Sequence, residues 1–190
     1  MEKIIIIILF GLAWGSFLNV LIYRLPQGMS ILKPPSSCPR CKARIKYYDN
    51  IPIVSFLLLR GRCRNCKEKI PFSYPLVEFL TPLSFLLLYQ EHSLSFFFFA
   101  SCLFSSCLIV LGFIDYYHQI LPDEITLSAL TLALLYSIFR HDLNLTHALI
   151  GAVSGASFLL IVSAAYFFLR KKEGLGMGDV TMMLMIGAFL

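Results

Sequence analysis

The fold is decided by Ile4–Tyr23, IIIIILFGLAWGSFLNVLIY, a run of 20 residues without a charged side chain. At about 1.5 Å per residue, a helix of this length crosses the roughly 30 Å hydrocarbon core of a bilayer. The composition agrees, since 58% of the 190 residues are hydrophobic and only 14% are charged. So little polar surface excludes a water-soluble globular domain and a disordered chain. The sequence predicts an all-α polytopic membrane protein.

Further apolar runs follow the first one and are interpreted as additional membrane helices. Gly11 and Gly15 in the first run, and Gly151 and Gly155 in a later one, have the spacing that lets two helices pack closely. The last run is short, and the sequence stops 11 residues after Asp179. The predicted spans after the first are Leu76–Gln90, Ser93–Ile114, Ile125–Phe139, Leu143–Leu169 and a sixth that begins within Val180–Leu190.

Charge is concentrated in one segment. Residues 24–75 hold 11 of the 16 Lys and Arg residues but only two acids, Asp49 and Glu68, a net charge of +9. By the positive-inside rule this segment is cytoplasmic. Counting spans from there places 115–124 and 170–179 on the same cytoplasmic side. Anionic lipid headgroups are the expected partner of the basic segment, and nucleic acid is not.

The basic segment contains two Cys-x-x-Cys pairs, Cys38 with Cys41 and Cys63 with Cys66, separated by 21 residues. Two such pairs can supply the four thiolates of a closed, structural zinc site. Redox-active dithiols and free thiols are the alternatives, and a reducing cytosol disfavours disulfides.

The residues between the two pairs include Ile51–Leu59, an apolar run too short to span a bilayer. We expect this run to pack on the metal site or to lie at the membrane surface. The sequence thus predicts a small cytosolic zinc-binding domain inserted after the first transmembrane helix. The predicted division is a first transmembrane helix (1–23), the zinc-binding domain (24–75) and a transmembrane core (76–190).

Two acids stand at the predicted cytoplasmic ends of apolar runs. Asp115 follows one run, and Asp179 opens the last one in Gly176-Met177-Gly178-Asp179. Acids at a membrane edge are costly and often functional. Two adjacent carboxylates share a proton and can act as general base and general acid on a peptide bond, while the glycines leave room for a substrate strand. Taken singly, each acid can instead cap a helix or pair with a basic residue.

Short motifs occur in a fixed order along nearly the whole chain. They are Gly15-Ser16-Phe17-Leu18-Asn19-Val20, Tyr23-Arg24-Leu25-Pro26, the two Cys-x-x-Cys pairs, Asp115 followed by Pro122-Asp123, and the Gly-x-Gly-Asp of residues 176–179. In this combination the sequence resembles the type IV prepilin peptidases. The resemblance implies a multi-pass aspartic protease of the GxGD class in the bacterial inner membrane. Such enzymes cleave the basic leader of type IV prepilins or pseudopilins after a glycine, on the cytoplasmic side, and many N-methylate the new N-terminus with S-adenosylmethionine.

Carried onto this sequence, the resemblance makes Asp115 and Asp179 the catalytic pair and the four cysteines the zinc ligands. Asp123, at the matching Pro-Asp position, is a weaker candidate for substrate binding. With Glu124 and Glu173 it forms the acidic group that we expect to attract the basic leader. No residue is assigned to S-adenosylmethionine, because no glycine-rich loop follows a predicted strand.

Two other classes of function stay open at this point. Membrane-edge carboxylates also serve ion-coupled transporters, although here they are predicted at one face and no inverted repeat is visible. A non-catalytic assembly factor that docks through its zinc domain is the second alternative. The predicted core is C-terminally shortened, because family members usually continue through further helices after the Gly-x-Gly-Asp motif, and the assembly factor is favoured if those helices are truly absent.

Overall fold

The protein is described here by a computed structural model that covers residues 1–139, 144–171 and 176–190. Within these ranges the chain is helical, and its only β-type pairing consists of two isolated bridges. The all-α prediction is confirmed. The helices are α1 (Glu2–Arg24), α2 (Val54–Leu58), α3 (Ser73–His92), α4 (Phe96–His118), α5 (Asp123–Phe139), α6 (Leu145–Arg170) and α7 (Met177–Phe189).

The described residues form two compact units, Met1–Phe113 and Ile114–Leu190. The division predicted from the sequence, at residues 23 and 75, stays a prediction. Among the described residues, three helical segments are long and apolar enough to cross a membrane, namely Glu2–Gln27, Phe96–His118 and Leu145–Arg170. Many of their large apolar side chains are exposed on the surface of the protein. Such exposure is favourable when lipid covers these side chains.

In the first unit, α1 packs closely against α3 through two glycines. A Cβ atom on Gly11 would lie 2.6 Å from the Cα atom of Pro82, and one on Gly15 would lie 2.9 Å from the Cα atom of Glu78. Only a residue without a side chain permits this approach. The interpretation of these glycines as packing residues is confirmed.

In the second unit, α6 packs against α7 by the same principle. A Cβ atom on Gly151 would clash with the backbone of Gly187, and one on Gly155 would lie 3.0 Å from the carbonyl oxygen of Met183. Small residues on α5, α6 and α7, namely Ala133, Ala152 and Ala188, form the buried cluster between these three helices. The second glycine pair is therefore also a packing device.

The segment that follows α1 folds back on the last residue of that helix. Arg24 is buried, and its guanidinium donates hydrogen bonds to the carbonyl oxygens of Ser30 (2.8 Å), Ile31 (3.1 Å) and Pro34 (2.6 Å). Backbone carbonyl oxygens thus compensate for the burial of the charge. The result is a fixed connection from α1 towards the first cysteine pair.

Candidate functional site

The four cysteines of the basic segment form one cluster. The Sγ atoms of Cys38, Cys41, Cys63 and Cys66 all lie within 4.8 Å of one another, and those of Cys38 and Cys66 are 3.7 Å apart. In a tetrahedral site with Zn–S bonds of about 2.3 Å, neighbouring sulfur atoms are about 3.8 Å apart. All four are free thiols rather than disulfides. The donor set and its spacing therefore fit a zinc ion.

The cluster is built from two turns with the same local hydrogen bonds. In each turn the first cysteine donates its N–H to a carbonyl five residues later and accepts an N–H from a lysine four residues later. The lysines, Lys42 (φ 57°) and Lys67 (φ 59°), adopt the left-handed conformation that a tight turn requires. The pairs are Cys38 N–H to Ala43 (3.0 Å), Lys42 N–H to Cys38 (2.9 Å), Cys63 N–H to Glu68 (2.8 Å) and Lys67 N–H to Cys63 (3.1 Å).

Backbone N–H groups aimed at the sulfur atoms stabilise thiolates in the cluster. The N–H of Ala43 lowers the pKa of Cys41 to about 6, and the N–H groups of Cys66 and Asn65 lower the pKa of Cys63. Loss of solvent contact and the neighbouring sulfur atoms raise the pKa of Cys66 to about 12. A bound divalent cation would favour the thiolate form of all four, because metal ligation deprotonates thiols.

Two ion pairs connect distant parts of the cysteine module, which we define as residues 36–71. Arg40, in the first turn, pairs with Glu68, in the second. Arg64 makes a two-pronged contact with Asp49, with its terminal nitrogen 2.6 Å from the carboxylate. The guanidinium of Arg64 holds the pKa of Asp49 below its usual range. Both acids of the basic segment, residues 24–75, are thus paired with arginines.

Asp115 lies in the last turn of α4 and is exposed to solvent. The helix ends shortly after it, where Gln119 (φ 53°) donates its N–H to the Asp115 carbonyl oxygen at 2.8 Å. Across residues 1–139, 144–171 and 176–190, no hydrogen bond or ion pair engages the Asp115 side chain. The carboxyl group is therefore free to contact a substrate or a water molecule.

Asp179 lies in the first turn of α7 and is partly buried. Its Oδ2 atom accepts the N–H of Gly176 at 3.1 Å, and its own N–H donates to the Gly176 carbonyl oxygen at 3.2 Å. These are the contacts of a helix cap, the structural role that the sequence left as an alternative. The cap occupies one carboxylate oxygen and leaves the other for chemistry.

The start of α7 packs against the connection between α4 and α5. A Cβ atom on Gly178 would lie only 2.9 Å from the Cβ atom of Leu121. Leu121 comes six residues after Asp115, and Gly178 immediately precedes Asp179. The structure thus brings together the segments that carry the two acids, although no hydrogen bond joins the carboxyl groups in the described part of the chain. Leu121 belongs to none of the motifs, so no sequence signal pointed to its role.

The other acids predicted to serve the site are at the start of α5. Asp123 and Glu124 are exposed in the first helical turn, where the helix dipole stabilises negative charge. Glu173 lies outside the described residues. Gly176, in extended conformation (φ −75°, ψ 152°), is the cap residue of α7.

Comparison with known proteins covers both units. Residues 102–190, which include both aspartates, match the family model described as "Type IV leader peptidase family". Residues 9–92, which include the cysteine cluster, match the model described as "Bacterial Peptidase A24 N-terminal domain". A relative from Neisseria gonorrhoeae named "Prepilin leader peptidase/N-methyltransferase" is 38% identical over 95% of this chain and 71% of its own length. The chain belongs to the type IV leader peptidase family.

Other leader peptidases match as broadly. Relatives with the same name from Pectobacterium carotovorum and Klebsiella pneumoniae are each 37% identical over 95% of this chain, and it spans 72% and 82% of their lengths. No solved structure matches. The resemblance stated from the motifs is confirmed, and leader peptidase membership favours an enzyme over a transporter or an assembly factor.

Proposed function

We propose that this leader peptidase is a membrane-embedded aspartic endopeptidase that removes the basic leader of a type IV prepilin or pseudopilin, with Asp115 and Asp179 as its catalytic pair. The observation that carries the proposal is the close packing of Gly178 on Leu121, which holds the segments bearing the two acids together in the second unit. The family match over residues 102–190 supports the same assignment.

The two acids act as one pair, in which the carboxyl groups share a proton. The ionised member takes a proton from the attacking water, and the protonated member hydrogen bonds to the scissile carbonyl oxygen. A proton is then delivered to the leaving nitrogen as the C–N bond breaks. One carboxylate oxygen of Asp179 accepts the N–H of Gly176, so the other oxygen is the one available for this chemistry.

The charges of the chain suggest how a basic leader would be recruited. Asp123 and Glu124 are exposed beside the connection that packs on Gly178, and Glu173 precedes the Gly-x-Gly-Asp motif. The cysteine module has a net charge of the same sign as the leader and would repel it. We propose that these acids bind the leader on the cytoplasmic side of the inner membrane, the side that the positive-inside rule assigns.

The catalytic pair is tested by co-expressing the full chain with a prepilin and measuring leader removal. Asp115→Asn and Asp179→Asn should each abolish cleavage, because Asn cannot exchange the proton. Glu91→Gln, which changes an exposed acid at the end of α3, is the matched control and should cleave normally. Cleavage by either Asn variant at the control's rate would overturn the proposal.

The role of the acids in leader binding is tested by measuring KM. Replacing Asp123, Glu124 and Glu173 by Asn or Gln should raise KM for a basic leader, with kcat little changed, and high salt should weaken the difference. An unchanged KM would remove these acids from substrate binding.

We also propose that the cysteine cluster holds one structural zinc ion. All four positions are protein sulfur atoms, which leaves no open site for catalysis. The ion would hold the two turns together, and its own chemistry would play no part in peptide cleavage. Zinc analysis of the purified chain should find about one ion per molecule.

Methylation of the new N-terminus is a second candidate activity, favoured by the names of the relatives. The described residues contain no strand followed by a glycine-rich loop, so no residue is assigned to S-adenosylmethionine. Incubating the chain with a pre-cleaved pilin and S-adenosylmethionine, followed by mass spectrometry, should show the addition of one methyl group. An unmodified pilin would argue against this activity.

A further inference from the structure

The short helix α2, between the two cysteine turns, presents an apolar face that no described residue covers. Leu58 is 78% exposed, Leu57 is 67% exposed and Val54 is 48% exposed. On the opposite side of the helix, the ring of Phe56 packs on Gly61 and on the ring of Phe72, with 6.5 Å between ring centroids. The helix therefore has an inward face that is packed and an outward face that consists of large aliphatic side chains.

A hydrogen bond to α3 fixes the start of α2. The N–H of Ile53 donates to Oε2 of Glu78, which lies in the second turn of α3, at 2.7 Å. Ile53 has φ 59°, a conformation that a β-branched residue adopts only where its surroundings impose it. The position of α2 is thus determined by α3 and not by a flexible loop.

The contact of α3 with α1 gives the level of α2 along the membrane normal. Glu78 packs on Gly15 of α1, which lies two and a half turns before Arg24, about 13 Å along the helix axis. Since Glu2–Gln27 is long and apolar enough to span the bilayer, a backbone group bonded to Glu78 lies inward from the cytoplasmic end of that span. The start of α2 is therefore inward from that end of the span.

The charges next to α2 select the kind of lipid. Arg60 and Arg62 follow the helix directly and are exposed. The two acids of the segment, Asp49 and Glu68, are already paired with Arg64 and Arg40. Arg60 and Arg62 thus have no acidic partner among the described residues, and a negatively charged surface complements them.

We propose that α2 is an interfacial wedge: Val54, Leu57 and Leu58 insert among the acyl chains of the cytoplasmic leaflet, and Arg60 and Arg62 bind the phosphates of anionic lipids. The wedge would hold the cysteine module against the membrane surface next to α1 and α3. This binding surface is independent of leader cleavage, so its failure would leave the proposed peptidase untouched.

Insertion is tested with the full chain in lipid nanodiscs whose acyl chains carry bromine, a quencher of tryptophan fluorescence. Leu58→Trp adds one tryptophan on the outward face of α2, and the emission of the native Trp14 is subtracted. Leu32→Trp is the matched control, because Leu32 is 87% exposed but lies in the segment that Arg24 holds at the end of α1. We expect quenching about twofold stronger for Leu58→Trp than for Leu32→Trp. Leu57→Trp repeats the test should the first variant fold poorly.

Two results would overturn insertion. Equal quenching at both positions would mean that position 58 lies no deeper in the bilayer than position 32. A shielded but unquenched tryptophan at position 58 would mean that protein, such as a second copy or a substrate helix, covers the face.

The preference for anionic lipid is tested by removing the positive charges next to α2. Arg60→Gln with Arg62→Gln, made in the Leu58→Trp chain, should reduce quenching in nanodiscs that contain phosphatidylglycerol and leave it unchanged in phosphatidylcholine. Lys42→Gln with Lys67→Gln removes the same charge at the cysteine turns and should have no such effect. Unchanged quenching in the arginine variants would overturn the role of anionic lipid.

Discussion

The cysteine cluster takes its four sulfur atoms from two turns with the same local hydrogen bonds, whereas the aspartate pair takes its carboxyl groups from the ends of two different helices. In the first case each turn positions its own two ligands, and only two turns must meet. In the second case Asp115 and Asp179 depend on how α7 packs against the connection after α4. Local backbone geometry thus builds one site, and tertiary packing builds the other.

Metal removal probes the locally built site and should have the largest effect. Cys38→Ser, or a strong chelator, should abolish zinc binding and open the 36–71 region to proteolysis, because structural zinc contributes on the order of 10 kcal/mol to the folding of such small modules. Zinc analysis and limited proteolysis measure this. Cys107→Ser, at a cysteine of α4 outside the cluster, is the matched control and should retain the metal. Full protection of the zinc-free module would contradict a structural ion.

Asp179 allows catalysis to be separated from helix capping. Asp179→Asn keeps an oxygen that can accept the Gly176 N–H, so it should retain thermal stability and lose cleavage by about a thousandfold or more. Asp179→Ala should lose cleavage equally and also stability, by about 1 kcal/mol. Leader cleavage and thermal unfolding, measured on the same samples, distinguish the two roles. If both variants cleaved normally, Asp179 would be a cap only.

Substitutions of the two glycines of the Gly-x-Gly-Asp motif should differ in their effect on kcat. This difference tests whether tertiary packing, rather than local backbone geometry, positions Asp179. Gly178→Ala should lower kcat about tenfold to a hundredfold, because the new Cβ atom at 2.9 Å from Leu121 shifts Asp179. Gly176→Ala should change kcat by about twofold or less, since the nearest atom to its Cβ would be 3.7 Å away and its backbone is extended. Steady-state kinetics on a prepilin decides between them. Equal effects would mean that the packing on Leu121 does not position the acid.

The smallest effect is expected from the ion pair of Asp49 with Arg64. Because Arg64 depresses the pKa of Asp49 in the folded state, the pair stabilises above the unfolded pKa of about 3.9. This stabilisation is lost as pH falls through the lower folded value. Asp49→Asn should therefore lower Tm by about 2 °C at neutral pH, and this difference should shrink as pH falls below about 3.9. A Tm difference that grows on acidification would contradict this assignment.

The sequence predicted the features that short sequence patterns mark, and it did not predict the contacts that tertiary packing creates. The apolar runs, the paired glycines and the Cys-x-x-Cys spacing predicted the helical architecture, the packing role of Gly11 and Gly151, and the cysteine cluster, because each leaves a recognisable short spacing in the sequence. The contact of Leu121 with Gly178 and the bond from Ile53 to Glu78 had no sequence signal. Neither contact leaves a short motif in the sequence, and both depend on helix packing that periodicity alone does not specify.

Arg24 shows how a cation near a membrane can act as a scaffold rather than as a surface charge. Its guanidinium donates hydrogen bonds to three carbonyl groups of the chain that follows it. The number of basic residues in the segment therefore exceeds by at least one the number of positive charges available to lipid headgroups. The planar fork satisfies several acceptors at once, and a lysine would keep the charge but lose that geometry. The entry into the cysteine module thus depends on the shape of one side chain, which a conservative change of equal charge does not preserve.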